Sequence, residues 1–303
     1  RIYIMFKKTL IAAAVATVAS TAAMANVTIG GKVESTLTST DSANMVMTQD
    51  AKLVFKTSED LGNGMTASAE IVLDTDQITG GTSAAMTQNQ TVAISGGFGT
   101  VVMGRMEDFT ESKVLSMVDV FGGSSVELGG DNAGRQNGAT AYVSPAINGL
   151  TVGVAGFSLA DGDDFDATDI ALMYANGPLA INLAVENMDD YSVKALTTTT
   201  LGVKYTVGDL SVAAVMQDID TVSGTDTDDA MVTAVYNMGN NSVAIGWNDD
   251  ESEAENDTVV ELRHNFSKRT RAYIGVKDSD TDTEDTTYLG MEQIGRASCR
   301  ERV

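Results

Sequence analysis

Side chains that could carry covalent or acid–base catalysis are scarce in this sequence. It holds one histidine, His264, and one cysteine, Cys299. His264 follows the apolar row of Val260 and Leu262, so we expect it on the outer face of a strand, in contact with an interface or another subunit. With no second histidine, the usual histidine relay cannot activate a serine, and nothing in the sequence holds two carboxylates at a working separation. We therefore expect no enzyme activity.

Acidic stretches could instead bind metal. The segment DSDTDTED at 278–285 begins with the alternating carboxylates of a calcium loop. It has Thr283 where that loop needs glycine and Leu289 where it needs glutamate, and 161–166 and 225–229 fail likewise. We predict no cofactor and no dedicated metal site. Weak divalent cation binding at the acidic loops, bridging them to lipopolysaccharide, is left open.

The glycine-rich stretch SGGFGTVVMGR at 95–105 has the composition of a phosphate-binding loop. A P-loop, however, requires a lysine after the glycines and then a helix. Here the residues from Thr100 to Met106 continue an alternation of strand type. The glycines therefore predict a hairpin turn, and Arg105 ends the strand that follows it.

The elements that must position these residues are strands. In 179–186, 200–207 and 259–266, apolar residues alternate with small or polar ones, which indicates strands with one face in an apolar medium. The opposite face carries charges such as Glu186, Lys204 and Arg263. Charges on that face are hard to bury in a soluble sandwich but suit a water-filled lumen.

Breaks between the strands alternate between short and long. The short ones have turn chemistry and lie at 59–64, 96–99, 145–149, 176–178, 208–209, 239–241 and 267–270. The long ones are acidic or polar and lie at 39–44, 75–85, 107–136, 160–166, 189–196, 220–229, 248–257 and 278–285. This pattern predicts an all-β fold, a transmembrane antiparallel up-and-down β-barrel of about 16 strands.

Both ends of the chain differ from this pattern. Residues 5–25 have the basic start, apolar run and small-x-small site of a signal peptide, which predicts export and a mature start at Asn26. Residues 293–303 lack the alternation, hold the cysteine and read as a non-native tail. The remaining 26–292 is predicted to form one barrel domain.

The charge balance limits the partners. The chain has 42 acidic and 19 basic residues and a formal net charge of -23. Nucleic acid is a poor partner for such a surface, whereas cations suit it. Two alternatives to a channel stay open at this point: a soluble acidic calcium-binding surface-layer protein, and a barrel used as a scaffold for an enzyme or adhesin.

Two motifs bring a family resemblance. SEDLGNGMTASAEI at 58–71 and VAISGGFGTVVMGR at 92–105 resemble the general diffusion porins of Gram-negative bacteria, and weaker similarity follows at 135–154 and 261–276. The resemblance covers nearly all of 26–292. It implies a sixteen-stranded, homotrimeric, water-filled channel in the cell outer membrane, exported through the periplasm, with its third long loop folded inward. Such a channel passes small hydrophilic solutes and ions by passive diffusion and contacts lipid and lipopolysaccharide.

The same resemblance implies a constriction in 107–136. The acids of that loop would face basic side chains on the barrel wall, which creates a transverse field. The predicted loop acids are Glu107, Asp108, Glu111, Asp119, Glu127 and Asp131. The predicted basic wall residues are Lys32, Lys52, Lys56, Arg105 and Arg135. From the excess of acids we expect a preference for cations. The final strand departs from the family, because 286–292 leads into the tail and lacks the usual closing phenylalanine. Aromatic residues are sparse, and those expected in the aromatic belts at the membrane surface are Trp247, Tyr205, Phe266 and Tyr273.

Overall fold

The protein is described by a computed structural model. It describes residues 26–41, 43–74, 86–123, 128, 134–158, 165–188, 196–222, 224–251, 255–280 and 285–300. The strands are β1 Asn26–Thr40, β2 Ala43–Gly62, β3 Met65–Asp74, β4 Met86–Gly96, β5 Gly99–Glu107, β6 Arg135–Val143, β7 Leu150–Phe157, β8 Ala167–Asn176, β9 Leu179–Met188, β10 Leu196–Val207, β11 Leu210–Thr221, β12 Thr227–Met238, β13 Asn241–Asp250, β14 Glu255–Ser267, β15 Thr270–Ser279 and β16 Thr286–Arg300. Two short helical turns, Thr110–Val114 and Leu115–Met117, follow β5.

The strands form one closed antiparallel barrel. Each strand pairs with its neighbours in chain order, and β1 closes the sheet by pairing with β16. The closing register runs from Asn26 opposite Arg300 to Thr40 opposite Thr286. The prediction of a sixteen-stranded antiparallel barrel is therefore confirmed.

Several strands extend into the predicted breaks, and three places show this most clearly. β2 continues through the acidic residues Glu59 and Asp60 to Gly62, so the turn is only Asn63 and Gly64. The connection between β1 and β2 is two residues, 41–42, where a longer break was expected. Residues 293–300, expected to lie beyond the closing strand, continue β16 and pair with β1. Backbone pairing tolerates most side chains, so alternation underestimates strand length. That 293–303 is non-native stays a prediction, as does the signal peptide, which lies outside the described residues.

Alternation sorts the side chains between the two faces. On β14 the apolar Leu262 and Phe266 are exposed on the outer wall, whereas Glu261 is fully buried on the inner side, as predicted. Trp247 and Tyr205 also lie on the outer wall. Tyr273, which we expected in an aromatic belt at the membrane surface, is instead buried inside the barrel. No helix in the described ranges is long or apolar enough to cross a bilayer.

The main apolar core lies inside the barrel, beneath the segment that follows β5. Its buried members on that segment are Phe109, Val114, Leu115, Met117, Val118 and Leu128. Its buried members on the wall include Ala171, Ala184, Ala213, Val215, Met231 and Val259. The segment therefore folds into the lumen, as the resemblance implied, because its apolar face can be buried only there.

Candidate functional site

Residues 108–123, 128 and 134 form the described part of this inward loop. Its apolar side chains lie where the wall carries glycine. Phe109 covers Gly153, Val114 and Met117 cover Gly202, and Phe121 covers Gly246.

A Cβ added to those glycines would stand 2.8 Å, 2.8 Å and 2.6 Å from the loop atoms, closer than real Cβ contacts. The wall therefore has three sockets, which are the places where a glycine leaves room for an apolar side chain of the loop.

Hydrogen bonds fix the middle of the loop to the wall. The Asn182 side chain on β9 donates to the Lys113 carbonyl oxygen at 2.6 Å, and Lys204 Nζ on β10 lies 3.4 Å from the Met117 carbonyl oxygen. These wall groups satisfy carbonyls that would otherwise be buried without a donor. The loop thus follows the inner wall from β8 towards β14.

A cluster on β14 holds the far end of the loop. The Gly122 N–H donates to Glu261 Oε2 at 2.9 Å, and Arg263 donates to the Val120 carbonyl oxygen. Glu261 also forms an ion pair with Arg263 and accepts a hydrogen bond from the Tyr288 hydroxyl at 2.9 Å. One buried carboxylate therefore joins the loop backbone to two wall side chains.

Tyr273 extends this cluster to β1. Its hydroxyl lies 2.5 Å from Glu34 Oε1, 2.7 Å from Thr36 Oγ1 and 3.1 Å from the Gly122 carbonyl oxygen. Glycines 122 and 123 lie directly on the rings of the two tyrosines, so the loop backbone approaches the wall closely there. The loop end is thereby attached next to the seam where β1 meets β16.

The near end of the loop is held by carboxylates. The Phe109 N–H donates to Asp169 Oδ2 at 2.5 Å, and the Glu111 N–H donates to Asp108 Oδ1 at 2.6 Å. Burial raises the pKa of the Asp108 carboxyl to about 7, and the negative charge of Asp169 adds to that rise. The charged form of Asp108 is therefore costly in this position.

A polar cavity of about 760 Å³ lies beside the far end of the loop and is lined by residues of β1, β2, β12, β14 and β15. Its charged lining residues are Lys32, Glu34, Asp50, Asp119, Arg263 and Arg271. Lys32 Nζ lies 2.7 Å from Glu34 Oε2 and 2.6 Å from Asp50 Oδ2. Arg271 forms an ion pair with Glu292 at 3.0 Å. This cavity has the position and chemistry of a constricted water passage.

The predicted loop acids divide among three environments. Glu107 is the last residue of β5 and forms an ion pair with Arg135 on the adjacent strand, so its expected role on the loop is corrected. Asp108 is buried against the wall and does not face a passage. Glu111 and Asp119 line a smaller cavity of about 180 Å³, and Asp119 also reaches the large one. Glu127 and Asp131 lie outside the described residues.

The predicted basic wall residues are likewise dispersed. Of these five, only Lys32 lines the large cavity. Lys52 lies directly opposite Lys32 in the β1–β2 register, so the two share a face of the sheet. Lys56 forms an ion pair with Glu70 and lines a separate cavity that includes no loop residue.

Arg105 and Arg135 lie at the two ends of the loop. Arg105 donates to the Thr87 carbonyl oxygen at 2.7 Å and to Asn137 Oδ1 at 3.2 Å, and Arg135 donates to Asn89 Oδ1 at 3.2 Å. The structure therefore brings these two together beside the loop, not across the passage from it.

Sequence reasoning did not single out the residues that hold the loop. Alternation placed Glu261 and Arg263 on the inner face of β14, yet nothing local showed that 120–122 would reach them. Four further residues showed only a weak signal in the sequence, a charge at an inward position of a strand. They are Glu34, Asp50, Arg271 and Asp169. A search for charges on predicted inner faces would have found them without separating them from other inward charges.

Comparisons with known proteins agree with this architecture. A family model described as Gram-negative porin matches residues 12–284. No curated protein sequence matches the chain.

Solved structures with the same fold include an anion-selective porin from Comamonas acidovorans, 22% identical, with a TM-score of 0.72 over 91% of this chain and 100% of that one. Salmonella typhi OmpF in complex with daunomycin is 14% identical, with a TM-score of 0.75 over 89% and 97%. The trimer form of OmpT, an outer membrane protein of Vibrio cholerae, is 13% identical, with a TM-score of 0.71 over 89% and 99%.

Proposed function

The chain belongs to the Gram-negative porin family, and on that basis we propose that small hydrophilic solutes and ions diffuse passively through its lumen, with cations preferred. As a member of this family it is a channel of the Gram-negative outer membrane and not an enzyme. The surface-layer and enzyme alternatives have no support from the family match or the closed barrel.

Passive diffusion is supported by one observation above the others, the attachment of the inward loop to one side of the lumen. The loop is bonded from β9 to β14, and a polar cavity is left beside it. A passage that is narrowed without being filled selects solutes by size and charge while needing no moving part. We place the constriction where Asp119 faces Lys32, Glu34 and Asp50.

Cation preference is supported by the charges of the wall. In the part of the chain that the structure describes, six basic wall residues are engaged with carboxylates: Lys32 with Glu34 and Asp50, Lys56 with Glu70, Arg135 with Glu107, Arg263 with Glu261, Arg271 with Glu292 and Lys277 with Asp257. Arg105 and Lys204 bond to neutral oxygens instead. The net charge of -23 leaves many acids without a basic counterpart. A field of that sign concentrates cations at the mouth and in the passage.

The Comamonas relative is named anion-selective, but its identity to this chain is low. Selectivity depends on side chains in the lumen, and the fold does not determine those. The charges of this chain are therefore the better guide to its own selectivity.

Reversal potentials across a KCl gradient in planar bilayers test the preference. We expect a potential of the sign that cation permeation gives, and a smaller one for Asp119→Asn, because that change removes an exposed carboxylate from the cavity. Asp209→Asn makes the same change of charge in the turn between β10 and β11 and serves as the matched control. A potential of the opposite sign for the unmodified protein would refute cation preference.

We also propose that the protein forms a homotrimer in contact with outer-membrane lipid and lipopolysaccharide. The trimer form of the Vibrio relative and the exposed apolar outer wall support this. Exposed acidic ends of strands, such as Asp218 and Asp228, would meet lipopolysaccharide only through bridging divalent cations.

A further inference from the structure

Three buried carboxylates meet at the foot of the inward loop. Asp108 is the first loop residue after β5, Asp169 belongs to β8 and Glu186 to β9. One oxygen of each lies within 4.8 Å of the others, and all three residues are 0% exposed. Three negative charges this close, and this far from water, repel one another strongly unless something compensates them.

The backbone arrangement forces this proximity. Asp169 and Glu186 are directly opposite in the β8–β9 register, so their side chains leave the same inner face. Like charges at such paired positions destabilise a sheet. Asp108 is then brought onto the pair by the Phe109 N–H bond to Asp169 and by the burial of Phe109.

Two carboxylate oxygens at this place have no donor among the described residues. Among the described residues nothing donates to Asp108 Oδ2 or Asp169 Oδ1, and both atoms are buried. The other oxygen of each accepts a backbone N–H, which orients the carboxylate. None of the ion pairs in the described part of the chain includes Asp108 or Asp169. Buried acceptors of this kind normally have a partner, and none of the described residues supplies one here.

We propose that Asp108, Asp169 and Glu186 bind one Ca²⁺ ion, which joins the first turn of the inward loop to β8 and β9. The donor set contains only oxygen, which suits a hard cation. Ca²⁺–O distances of about 2.3–2.6 Å place two ligands of one ion up to about 5 Å apart, in agreement with the observed cluster. Mg²⁺ binds at about 2.0–2.1 Å and keeps several waters, for which a fully buried site has little space.

Thr110 adds a neutral ligand, because its buried Oγ1 has no partner among the described residues. With bound calcium, the loop would be fixed at both ends, by the ion at its start and by Glu261 at its far end.

The test uses the purified protein, folded in detergent, at pH 8. We expect elemental analysis of the protein as isolated to find about one tightly held calcium per chain. After EDTA treatment and dialysis, calorimetric titration with CaCl₂ should show one site per chain with a Kd below about 100 µM. Asp169→Asn should weaken that site at least roughly tenfold, because it removes one of three charged ligands.

Asp209→Asn is the matched control, since Asp209 lies in the exposed turn between β10 and β11, and it should keep the site. Glu186→Gln provides a second variant if Asp169→Asn does not fold. The proposal is overturned if the unmodified protein shows no such site, or if the binding is equally strong in a folded Asp169→Asn or Glu186→Gln variant. In either case shared protons, not calcium, compensate the three acids. Because binding is measured without conductance, the outcome is independent of the proposed channel selectivity.

Discussion

Glu261 is the residue on which the far end of the inward loop depends. Its buried carboxylate accepts from the Gly122 N–H and the Tyr288 hydroxyl and pairs with Arg263. Each of these partners lies in or beside the lumen wall, where water cannot easily replace the lost contact. A single side chain therefore controls the position of the loop backbone at the constriction.

Replacing this side chain by a shorter apolar one should release the loop. Glu261→Ala leaves the Arg263 guanidinium without its carboxylate and Gly122 without an acceptor, at a cost of about 3–5 kcal/mol for breaking a buried pair. We expect a lower temperature for the heat-induced shift in gel mobility and noisier single-channel currents.

Glu261→Gln keeps an oxygen acceptor for Gly122 but loses the charge, and it should lie between Glu261→Ala and the unmodified protein. Unchanged currents in Glu261→Ala would show that the apolar core alone holds the loop.

At the scale of elements, the inner face of the wall strands is complementary in shape to the inward loop. Glycine, alanine and a few larger apolar residues occupy the inner positions beneath the loop, whereas polar side chains line the cavity beside it. Small wall residues allow Phe109, Val114 and Met117 to lie against the sheet backbone. The loop is thus held to one side of the lumen by shape, and the polar anchors determine its register along the wall.

Filling one of these sockets tests this role. Gly202→Val places methyl groups where Val114 and Met117 now lie, with even the Cβ only 2.8 Å from each of them. Overpacking of this kind costs about 1–3 kcal/mol, and here it is relieved by moving the loop into the lumen. We expect a changed single-channel conductance with the barrel intact, measured by bilayer recording and circular dichroism.

Gly97→Val is the control for Gly202→Val, because Gly97 lies in an open turn with nothing within 4 Å of an added Cβ. If both variants keep the unmodified conductance, the socket is not what positions the loop.

At the scale of the whole molecule, closure of the barrel determines what can be exposed. Sixteen strands pair without a free edge, so the backbone groups of each strand can bond to a neighbouring strand instead of facing lipid. The outer wall then presents apolar side chains such as Val92, Met103, Leu262 and Met291. This surface requires lipid or another subunit against it.

The proposed trimer predicts a particular behaviour on heating. Protein extracted in mild detergent should run on gels at three times the chain mass and shift to the monomer position after boiling, because the barrel and the subunit contacts are lost together. Cross-linking before heating should retain the trimer band. Native mass spectrometry showing only single chains at micromolar concentration would contradict the assembly.

Much of this architecture follows from the sequence itself. The two-residue period is a local property, so it predicted the strands and showed that Glu261 and Arg263 face inward while Leu262 faces out. Turn residues such as Asn63 and Gly64, both at positive φ, marked the short connections because few other residues adopt that conformation. The excess of acids is a sum over the chain and needs no structure.

The contacts of the inward loop were decided only by the tertiary structure. Gly122 and Glu261 are 139 residues apart, and Phe109 and Asp169 are 60 apart, so no local pattern could pair them. For the same reason Glu107 was expected at the constriction. Tyr273 was expected at the membrane surface although its alternation with the outward Ile274 and Val276 already indicates the inner face. Which strands receive the loop depends on how the barrel closes and where the wall lacks side chains, and these are properties of the assembled sheet.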